Sequence, residues 1–364
     1  MKLFEKNAKA LEFDKVLEKL AEFTSCEDAR ENALNLRPES SLAMAQALLN
    51  QTADAHMLLA RFGGPSFGGL KNVNNALSRA NAGSVLNTRE LLDIAGVLRV
   101  IRTLSQWRES NAGVHSVLDP LFNALAPNKY LETAIFNAIV SEDEISDNAS
   151  PALADIRRKI RVQESKVREQ LEKFTRSQTN SKFLQENIIT QRNGRYVVPV
   201  KNEYRSEIAG LVHDTSSSGA TVFIEPMAVV EANNEIRVLQ AKEREEIERI
   251  LYELSVQAGD FAQSIKNSYE CALELNLIFA KAQYAYKIKA MPPILNDSGI
   301  INLRAARHPL IDPKKVVPVD IMLGKDFDTL VITGPNTGGK TVSIKTLGLL
   351  SMMAMCGLMI PSGD

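Results

Sequence analysis

The sequence predicts a mainly α-helical protein: a helical bundle, two long antiparallel coiled-coil arms that carry a small β tip, and the beginning of an α/β segment. Three observations predict this fold class. Apolar residues recur at helical spacing through most of the first 292 residues. Two stretches within residues 151–292 extend this spacing into heptads. Runs rich in β-branched residues are confined to residues 185–227 and to the chain after residue 293.

Residues 1–150 are predicted to form a packed helical bundle with a structural role. The segment FDKVLEKLAEF places its apolar side chains on one helical face: Phe13, Val16, Leu17, Leu20 and Phe23. Residues 41–64 repeat the pattern and end at a glycine pair, which is typical of a helix C-cap. A third helix begins with Asn87 or Thr88 as its N-cap, and Glu90 follows closely enough to complete a capping box.

Two heptad stretches are predicted to pair as antiparallel arms. Residues 141–151 are polar, acidic and end in proline, which indicates a hinge or a helix start before the first arm, 151–184. The seam of the first arm is Leu153, Ile156, Ile160, Gln163, Val167, Gln170 and Phe174. The seam of the second arm, within 228–292, is Ile236, Leu239 or Gln240, Glu243, Ile247, Ile250, Leu254, Gln257 and Phe261. The first arm is basic and the second acidic, but an exposed ion pair contributes only ~0.2–1 kcal/mol, so the apolar seam supplies most of the adhesion.

The segment between the arms, residues 185–227, is predicted to be a small β structure, here called the tip. Three β-type runs occur at Ile188–Thr190, Tyr196–Val200 and Thr221–Ile224. The dipeptide Asn193-Gly194 predicts a type I′ hairpin turn, because both residues tolerate positive φ. The stretch DTSSSGAT predicts a second loop, rich in serine and glycine.

Cationic and hydroxyl side chains are concentrated in the tip. They are Arg192, Arg195, Lys201, Arg205, His213, Ser216, Ser217 and Ser218. Hydroxyls, amides and a few cations suffice to contact a nucleic-acid backbone, so these residues are candidates for such a contact. A hairpin cap whose charges are merely solvated remains open as the alternative.

Composition restricts the other possibilities. Lys plus Arg is 43 and Asp plus Glu is 44, so net charge gives no global argument for a polyanionic partner, and any nucleic-acid surface must be local. Three distant cysteines indicate a reducing compartment without disulfides, and the four histidines show no zinc spacing. The acidic, polar start does not resemble a signal peptide. Leu347–Ile360 is apolar but too short to cross a bilayer, so we expect a buried helix, no membrane partner and a cytoplasmic protein.

A phosphate-binding motif lies near the end of the chain. Residues 334–341, GPNTGGKT, match G-x-x-x-x-G-K-[ST], with the apolar run TLVI before them read as a buried strand and a helix predicted after them. Glycines let backbone N–H groups point at phosphate oxygens, and the helix N-terminus adds its dipole. Lys340 would reach the β- and γ-phosphates and the Thr341 hydroxyl would coordinate Mg²⁺, so ATP and Mg²⁺ are the expected cofactors. A glycine-rich turn is the alternative.

The motif alone does not hydrolyse ATP, since that chemistry also needs a Walker-B carboxylate and a group that positions water. Only 23 residues follow Thr341. We therefore expect an ATPase that is cut short, no ATP turnover by this chain alone, and poor packing of the apolar helix at 347–360.

Several strings together resemble the MutS superfamily, in particular the branch of the bacterial second MutS paralogue. They are ARHPLI at 306–311, VITGPNTGGKT at 331–341, LEFDKVLEKLAEFT near the start, and NGRYVVPVKNEYRSEIAGLVHDTSSSGATVFIEP at 193–226. The spelling NTGGKTV, in place of NMGGKST, favours this branch over mismatch-repair MutS. The resemblance implies a helical lever or core (1–150), an ascending arm (151–184), a β clamp (185–227), a descending arm (228–292) and the first part of an ABC-type P-loop ATPase domain (293–364).

The resemblance also implies roles for single residues. Those that would cradle the nucleotide are Gly334, Pro335, Asn336, Thr337, Gly338, Gly339, Lys340, Thr341 and Val342. Residues Val316–Val319 are candidates for the adenine side, and His308 for bracing the nucleotide-binding lobe. Phe223-Ile224-Glu225 matches the letters of the mismatch-stacking Phe-x-Glu, but it lies in the tip and is interpreted as a coincidence.

By resemblance, the function is that of a homodimeric, ATP-dependent clamp that grips branched DNA and suppresses recombination, or that acts on collided ribosomes and their RNA. The full-length form would add a complete ATPase and a C-terminal nuclease domain. Alternatives are mismatch-repair MutS itself, a structural coiled-coil ATPase of the chromosome-maintenance type, or a small-molecule P-loop kinase. A chromosome-maintenance protein predicts a longer coiled coil with a globular hinge, and a kinase predicts a motif near the N-terminus.

Overall fold

The computed structural model describes residues 2–333 and 339–363, in two compact units. The core unit comprises the described residues of Met1–Ala82, Asp93–Glu132 and Ala258–Asp364. The arm unit comprises Gly83–Leu92 and Thr133–Gln257. The protein is mainly helical with small antiparallel sheets, which confirms the predicted fold class. Among the described residues, no helix is both long and apolar enough to span a lipid bilayer.

The helices and strands follow the sequence periodicity closely. In chain order the helices are α1 (Lys2–Ala10), α2 (Phe13–Ala21), α3 (Glu27–Leu34), α4 (Leu42–Phe62), α5 (Asn74–Asn81), α6 (Thr88–Ser110), α7 (Asp119–Asn123), α8 (Lys129–Ala138), α9 (Pro151–Arg176), α10 (Met227–Asp260), α11 (Ala262–Ile288) and α12 (Lys340–Met355). The strands are β1 (Ile139–Ser141), β2 (Glu144–Ile145), β3 (Thr190–Arg192), β4 (Arg195–Lys201), β5 (Gly210–Thr215), β6 (Thr221–Pro226), β7 (Ile301–Ala306) and β8 (Val319–Leu323). The hairpin β1–β2 lies in the region predicted as helix and hinge.

In the core unit, α11 packs against several N-terminal helices, as its apolar sequence predicts. It contacts α2, α3, α4, α5 and α7, and Tyr269 and Phe279 on it are almost completely buried. The predicted caps are also present. Gly63 ends α4 with a φ of 73°, and Asn87 and Glu90 exchange the two hydrogen bonds of a capping box at the start of α6, in the arm unit.

Two expectations about the C-terminal region are wrong. The helix α12 is well packed: Leu349, Leu350 and Met353 are at most 1% exposed and join a core cluster with α2 and α11. These two helices supply the apolar surface that we expected a sheet to provide. Conversely, the run 329–332 is exposed and not a strand, because neither β7 nor β8, which pair with each other, hydrogen-bonds to it.

In the arm unit, α9 and α10 run antiparallel, as predicted. Ser150 Oγ at the start of α9 donates to Glu246 Oε1 at 2.5 Å, and Arg157 Nε donates to Glu243 Oε1 at 2.7 Å. A later residue of α9 therefore contacts an earlier residue of α10, as expected for two antiparallel helices. Hydrogen bonds from Arg249 and then Ser150 lower the pKa of Glu246 to about 2.

The predicted seams need two corrections. On α9 the buried position after Val167 is Leu171, and Gln170 is exposed. The seam therefore advances by four residues there, which keeps a leucine rather than an amide in the core. Phe261 is 45% exposed and lies beyond the end of α10.

The tip contains a four-stranded antiparallel sheet in the order β3-β4-β6-β5. Asn193 and Gly194 have φ values of 51° and 74°, which confirms the predicted type I′ turn. The strand β5 was not predicted. It begins at Gly210, where a Cβ atom would lie 2.3 Å from the Glu225 carbonyl oxygen, so only glycine allows the two strands to approach this closely.

Candidate nucleic-acid interface and nucleotide site

The sheet of the tip is fixed to the arms by an apolar inner face. Val198 and Val200 on β4 lie opposite Ile224 and Val222 on β6. All four are at most 2% exposed and belong to one cluster with residues of both arm helices, Val167, Leu171 and Ile236. Side chains alternate across a strand, so the intervening residues of β4 and β6 lie on the opposite face of the sheet.

A buried carboxylate is the centre of a polar cluster on that opposite face. Glu225 on β6 is completely buried. It accepts hydrogen bonds from Arg195 Nη1 at 2.8 and 3.0 Å and from Asn233 Nδ2 at 2.8 Å, and His213 Nε2 lies 2.5 Å from its Oε2. We call these four residues the Glu225 cluster. The cluster joins β4, β5 and β6 to the start of α10, and it satisfies a charge that could not be buried alone.

Arg192 is also engaged within the tip. Its guanidinium lies 4.0 Å from the centre of the Phe223 ring, and its Nε is 3.3 Å from Asp214 Oδ2. The cation–π contact connects β3 to β6, and the ion pair connects β3 to β5. Both contacts are partly exposed, so each contributes little to stability.

The other end of the sheet carries a basic patch, which we define as Lys182, Lys201, Tyr204, Arg205 and Ser216–Ser218. Lys201 ends β4, pairs with Thr221 and donates from Nζ to the Lys182 carbonyl at 3.3 Å. Asn202 N donates to the Ala220 carbonyl at 2.9 Å, which brings the serine loop beside the end of β4. The backbone therefore assembles three chain segments at one place.

Several polar groups of the basic patch are accessible. Lys182, Arg205, Ser217 and Ser218 are exposed. The ring of Tyr204 packs in a tilted arrangement against Phe183, with ring centroids 5.2 Å apart, and Lys201 Nζ lies 6.0 Å from the centre of the Tyr204 ring. Ser216 Oγ accepts from Thr221 N at 3.0 Å, which holds the loop in place. Exposed cations and hydroxyls around an aromatic ring are groups that contact phosphates and bases.

The nucleotide motif is only partly described. Residues 334–338 lie outside the described residues, while Gly339 precedes α12 with a φ of 79° and Lys340, Thr341 and Val342 form its first turn. Ser343 N and Oγ both donate to the Gly339 carbonyl, at 2.9 and 3.1 Å. The first amides of α12 have no acceptor within the helix, which suits an anionic ligand.

A cavity of about 510 Å³ lies beside this first turn. It is lined by Glu12, Lys15, Glu18, Lys19, His308, Leu310, Ile311, Thr341, Val342 and Lys345. Hydrogen bonds from Lys15 and then Lys345 lower the pKa of Glu12 to about 2. Burial lowers the pKa of His308, whose Nδ1 accepts from Leu310 N at 3.4 Å. A neutral His308 therefore shapes its own turn next to α12, and Val316–Val319 do not line this cavity.

Three curated relatives of this chain have the same name. No family model matches it. It is 46% identical to the endonuclease MutS2 of Ruminiclostridium cellulolyticum, over 99% of this chain and 46% of that protein. Identity is 45% to the endonuclease MutS2 of Acetivibrio thermocellus and 44% to that of Clostridium beijerinckii, with the same coverage.

The chain belongs to the MutS2 family. It spans about half the length of the MutS2 relatives that it matches. The resemblance to the second MutS paralogue is thereby confirmed.

In this MutS2 chain the predicted nucleic-acid residues fall into two groups. Arg192, Arg195 and His213 contact acidic or aromatic side chains of the tip itself. Of the other predicted residues, Lys201 lies beside the serine loop Ser216–Ser218, and Arg205 follows it in the short helix Asn202–Glu207 that begins directly after β4. A role in nucleic-acid binding stays a prediction for both groups, but only the second presents exposed cations beside hydroxyls.

The sequence reasoning missed Lys182 and Tyr204 as members of this site. Leu184 forms an isolated bridge with Val200, which brings the segment KFL after α9 back to the end of β4. That bridge joins residues 16 positions apart and gives no local signal. The string KNEYR, with a tyrosine between cations, was the signal that could have identified Tyr204.

Proposed function

We propose that the chain is the nucleic-acid-gripping and nucleotide-binding part of a MutS2 protein. The basic patch contacts the phosphodiester backbone of branched DNA or of ribosomal RNA in a collided ribosome. The motif at 334–342 binds ATP with Mg²⁺. In this proposal the whole protein is a cytoplasmic homodimer that uses ATP to move the clamp, suppresses recombination or rescues translation, and cleaves nucleic acid, as the relatives' name endonuclease suggests.

The observation that carries the proposal is the grouping of Lys182 and Lys201 with the serine loop at one end of the sheet, with Arg205 four residues after Lys201. Net charge is close to zero over the whole chain, so electrostatic attraction must come from such a local group. Hydroxyls and cations that contact phosphates fix a protein on nucleic acid without reading its sequence. That is the mode of binding that a clamp on branched or structured nucleic acid requires.

Reversing the two exposed cations of the patch tests this proposal. We expect Lys182→Glu/Arg205→Glu to weaken binding to a four-way DNA junction or a ribosomal RNA stem about 10- to 100-fold near 0.15 M salt. The slope of log K against log [salt] should become shallower by about 1.5–2, because each lost phosphate contact lowers the number of counterions that are released on binding. Fluorescence anisotropy over a salt series measures both quantities.

The matched control is Lys173→Glu/Arg176→Glu on the last turns of α9. It makes the same change in net charge, but these cations pair with Glu169 and Glu172 at 2.7 and 3.4 Å. We expect less than a threefold change in affinity. Equal losses in the two double variants, or no loss in the first, contradict the proposal. Arg195→Glu is unsuitable here because it would place a second carboxylate against Glu225.

The nucleotide half of the proposal has its own test. We expect Lys340→Ala to lower the affinity for a fluorescent ATP analogue with Mg²⁺ more than tenfold, because the motif's lysine is the point charge on the β- and γ-phosphates. Lys325→Ala, at an exposed position before the motif, is the control with the same charge change. Equal binding by wild type and Lys340→Ala would show that residues 334–342 are not a phosphate site.

A further inference from the structure

The far end of α12 is joined to the core unit by hydrogen bonds from two other helices. Lys281 on α11 donates from Nζ to the Cys356 carbonyl at 2.8 Å. Thr52 on α4 donates from Oγ1 to the Gly357 carbonyl at 2.6 Å. Both side chains are at most 3% exposed. Cys356 is the C-cap of α12, so the two bonds terminate the helix that begins at the nucleotide motif.

The backbone after α12 is in equally close contact with α4. Gly357 has a φ of 73°, and a Cβ atom there would lie 2.5 Å from Leu48 Cβ and 2.9 Å from the Leu48 carbonyl carbon. Ile360 then exchanges two backbone hydrogen bonds with Met291, at 2.8 and 3.0 Å. The chain directly after α12 therefore leaves no room for a side chain between Gly357 and Leu48 of α4, so we expect a displacement of α12 along its axis to be transmitted to α4.

Burying a charged lysine side chain at this position costs free energy. Burial lowers the pKa of Lys281 to about 8, and an uncharged side chain of the same length would avoid that cost. The ammonium group in turn makes a directional hydrogen bond to the C-terminal end of α12, which is the negative end of the helix dipole. The side chain thus does more than fill space, since it fixes the axial position of one helix relative to another.

We propose that Lys281, together with Thr52, is a positioning residue for the nucleotide site: it holds the end of α12 on α11 and α4, so that nucleotide bound at the first turn of α12 restricts the motions of those two helices. The inference rests on the proposed binding of ATP at residues 334–342. The helix is 16 residues long, so the joint lies about 24 Å from the ligand, at ~1.5 Å per residue. Lys281 acts through α12 and touches no nucleotide.

Hydrogen exchange with and without nucleotide tests this inference. Wild type is measured with Mg²⁺ and a non-hydrolysable ATP analogue, and we expect amide exchange in α12, α4 and α11 to slow at least threefold. In Lys281→Met we expect the nucleotide affinity to stay within about threefold of wild type and the nucleotide still to slow amide exchange in α12. The slowing of exchange in α4 and α11 should fall to less than half of that in wild type. Lys281→Arg, which retains a donor, should recover part of the effect.

Two further variants separate positioning from stability. Thr52→Val removes the hydrogen bond to the Gly357 carbonyl with almost no change in the shape of the side chain. It should reduce the slowing of exchange in α4 by nucleotide, and it provides the test if Lys281→Met does not fold. Lys266→Met is the control on the same helix, since its Nζ donates to the Ser78 hydroxyl on α5 at 2.7 Å, and the effect should be fully retained.

The outcomes distinguish this inference from the proposed function. Absence of nucleotide binding by wild type overturns both. Binding by wild type without slower exchange in α4 and α11 overturns the inference alone. The same follows if Lys281→Met and Thr52→Val both retain the wild-type pattern.

Discussion

Replacing Glu225 with alanine should destabilise the tip by about 3–5 kcal/mol, the range measured when one partner of a buried ion pair is removed. The carboxylate is completely buried, and the substitution would leave the Arg195 guanidinium, whose side chain is 13% exposed, without its counter-charge. Asn233 would lose one bond but keep its contacts with the Tyr196 backbone. The unpaired cation, not the missing methylenes, accounts for most of the effect.

Urea denaturation followed by circular dichroism measures the loss. The single tryptophan, Trp107, lies in the core unit, so its fluorescence would not report on the tip. Hydrogen exchange in β4 and β6 should show where stability has been lost. Glu203→Ala, at an exposed tip position, should change stability by less than about 0.5 kcal/mol. A loss below 1 kcal/mol for Glu225→Ala would mean that Arg195 finds water or another partner.

Local pattern predicted the helices well where one face of the helix is buried. The stripe Phe13, Val16, Leu17 and Leu20 is buried as predicted, because four apolar residues at helical spacing leave only one face for the core. The capping box of Asn87 and Glu90 was predictable for the same reason: all of its atoms lie within four consecutive residues. Both partners of this contact are therefore visible in a short stretch of sequence.

Prediction failed where an element depends on partners far away in sequence. The run 329–332 has the composition of a buried strand, yet a strand forms only if another strand hydrogen-bonds to it. The packing of α12 shows the converse, since its partners in α2 and α11 lie more than 50 residues before it. No window around α12 contains the information that an apolar surface is present.

The tip shows why site residues are harder to predict than elements. Arg195 and Lys201 both lie on β4, and composition treats them alike. In the structure Arg195 donates to Glu225, 30 residues later, whereas Lys201 lies beside Lys182 and the serine loop. The strand β5 was missed because it lies at the edge of the sheet, with half-buried or exposed residues along its whole length and no alternation. His213 is therefore placed by a strand that the sequence did not indicate.

Lys281 should make the stability of the core unit rise with pH above about 8. Burial lowers its folded-state pKa from 10.5 to about 8, so between these values the unfolded chain binds more protons than the folded chain, and the free energy of unfolding increases with pH. At ~1.4 kcal/mol per pH unit for one proton, the gain from pH 8 to 9.5 is about 2 kcal/mol. Below pH 8 the folded state carries the full cost of a buried ammonium.

Other groups titrate in this range, so the quantity to measure is the difference between wild type and Lys281→Met in urea denaturation at pH 7.5, 8.5 and 9.5. That difference should shift in favour of wild type by about 2 kcal/mol, because the variant has no proton to lose at this position. The groups facing Lys281 do not supply the effect. The buried Cys356 thiol, whose pKa is raised to about 12, stays protonated, and the other titratable group whose charge acts on Lys281 is Glu274. A parallel pH dependence in both proteins would mean that water reaches the ammonium. The bond to the Cys356 carbonyl would then be too weakly shielded to hold α12 in place.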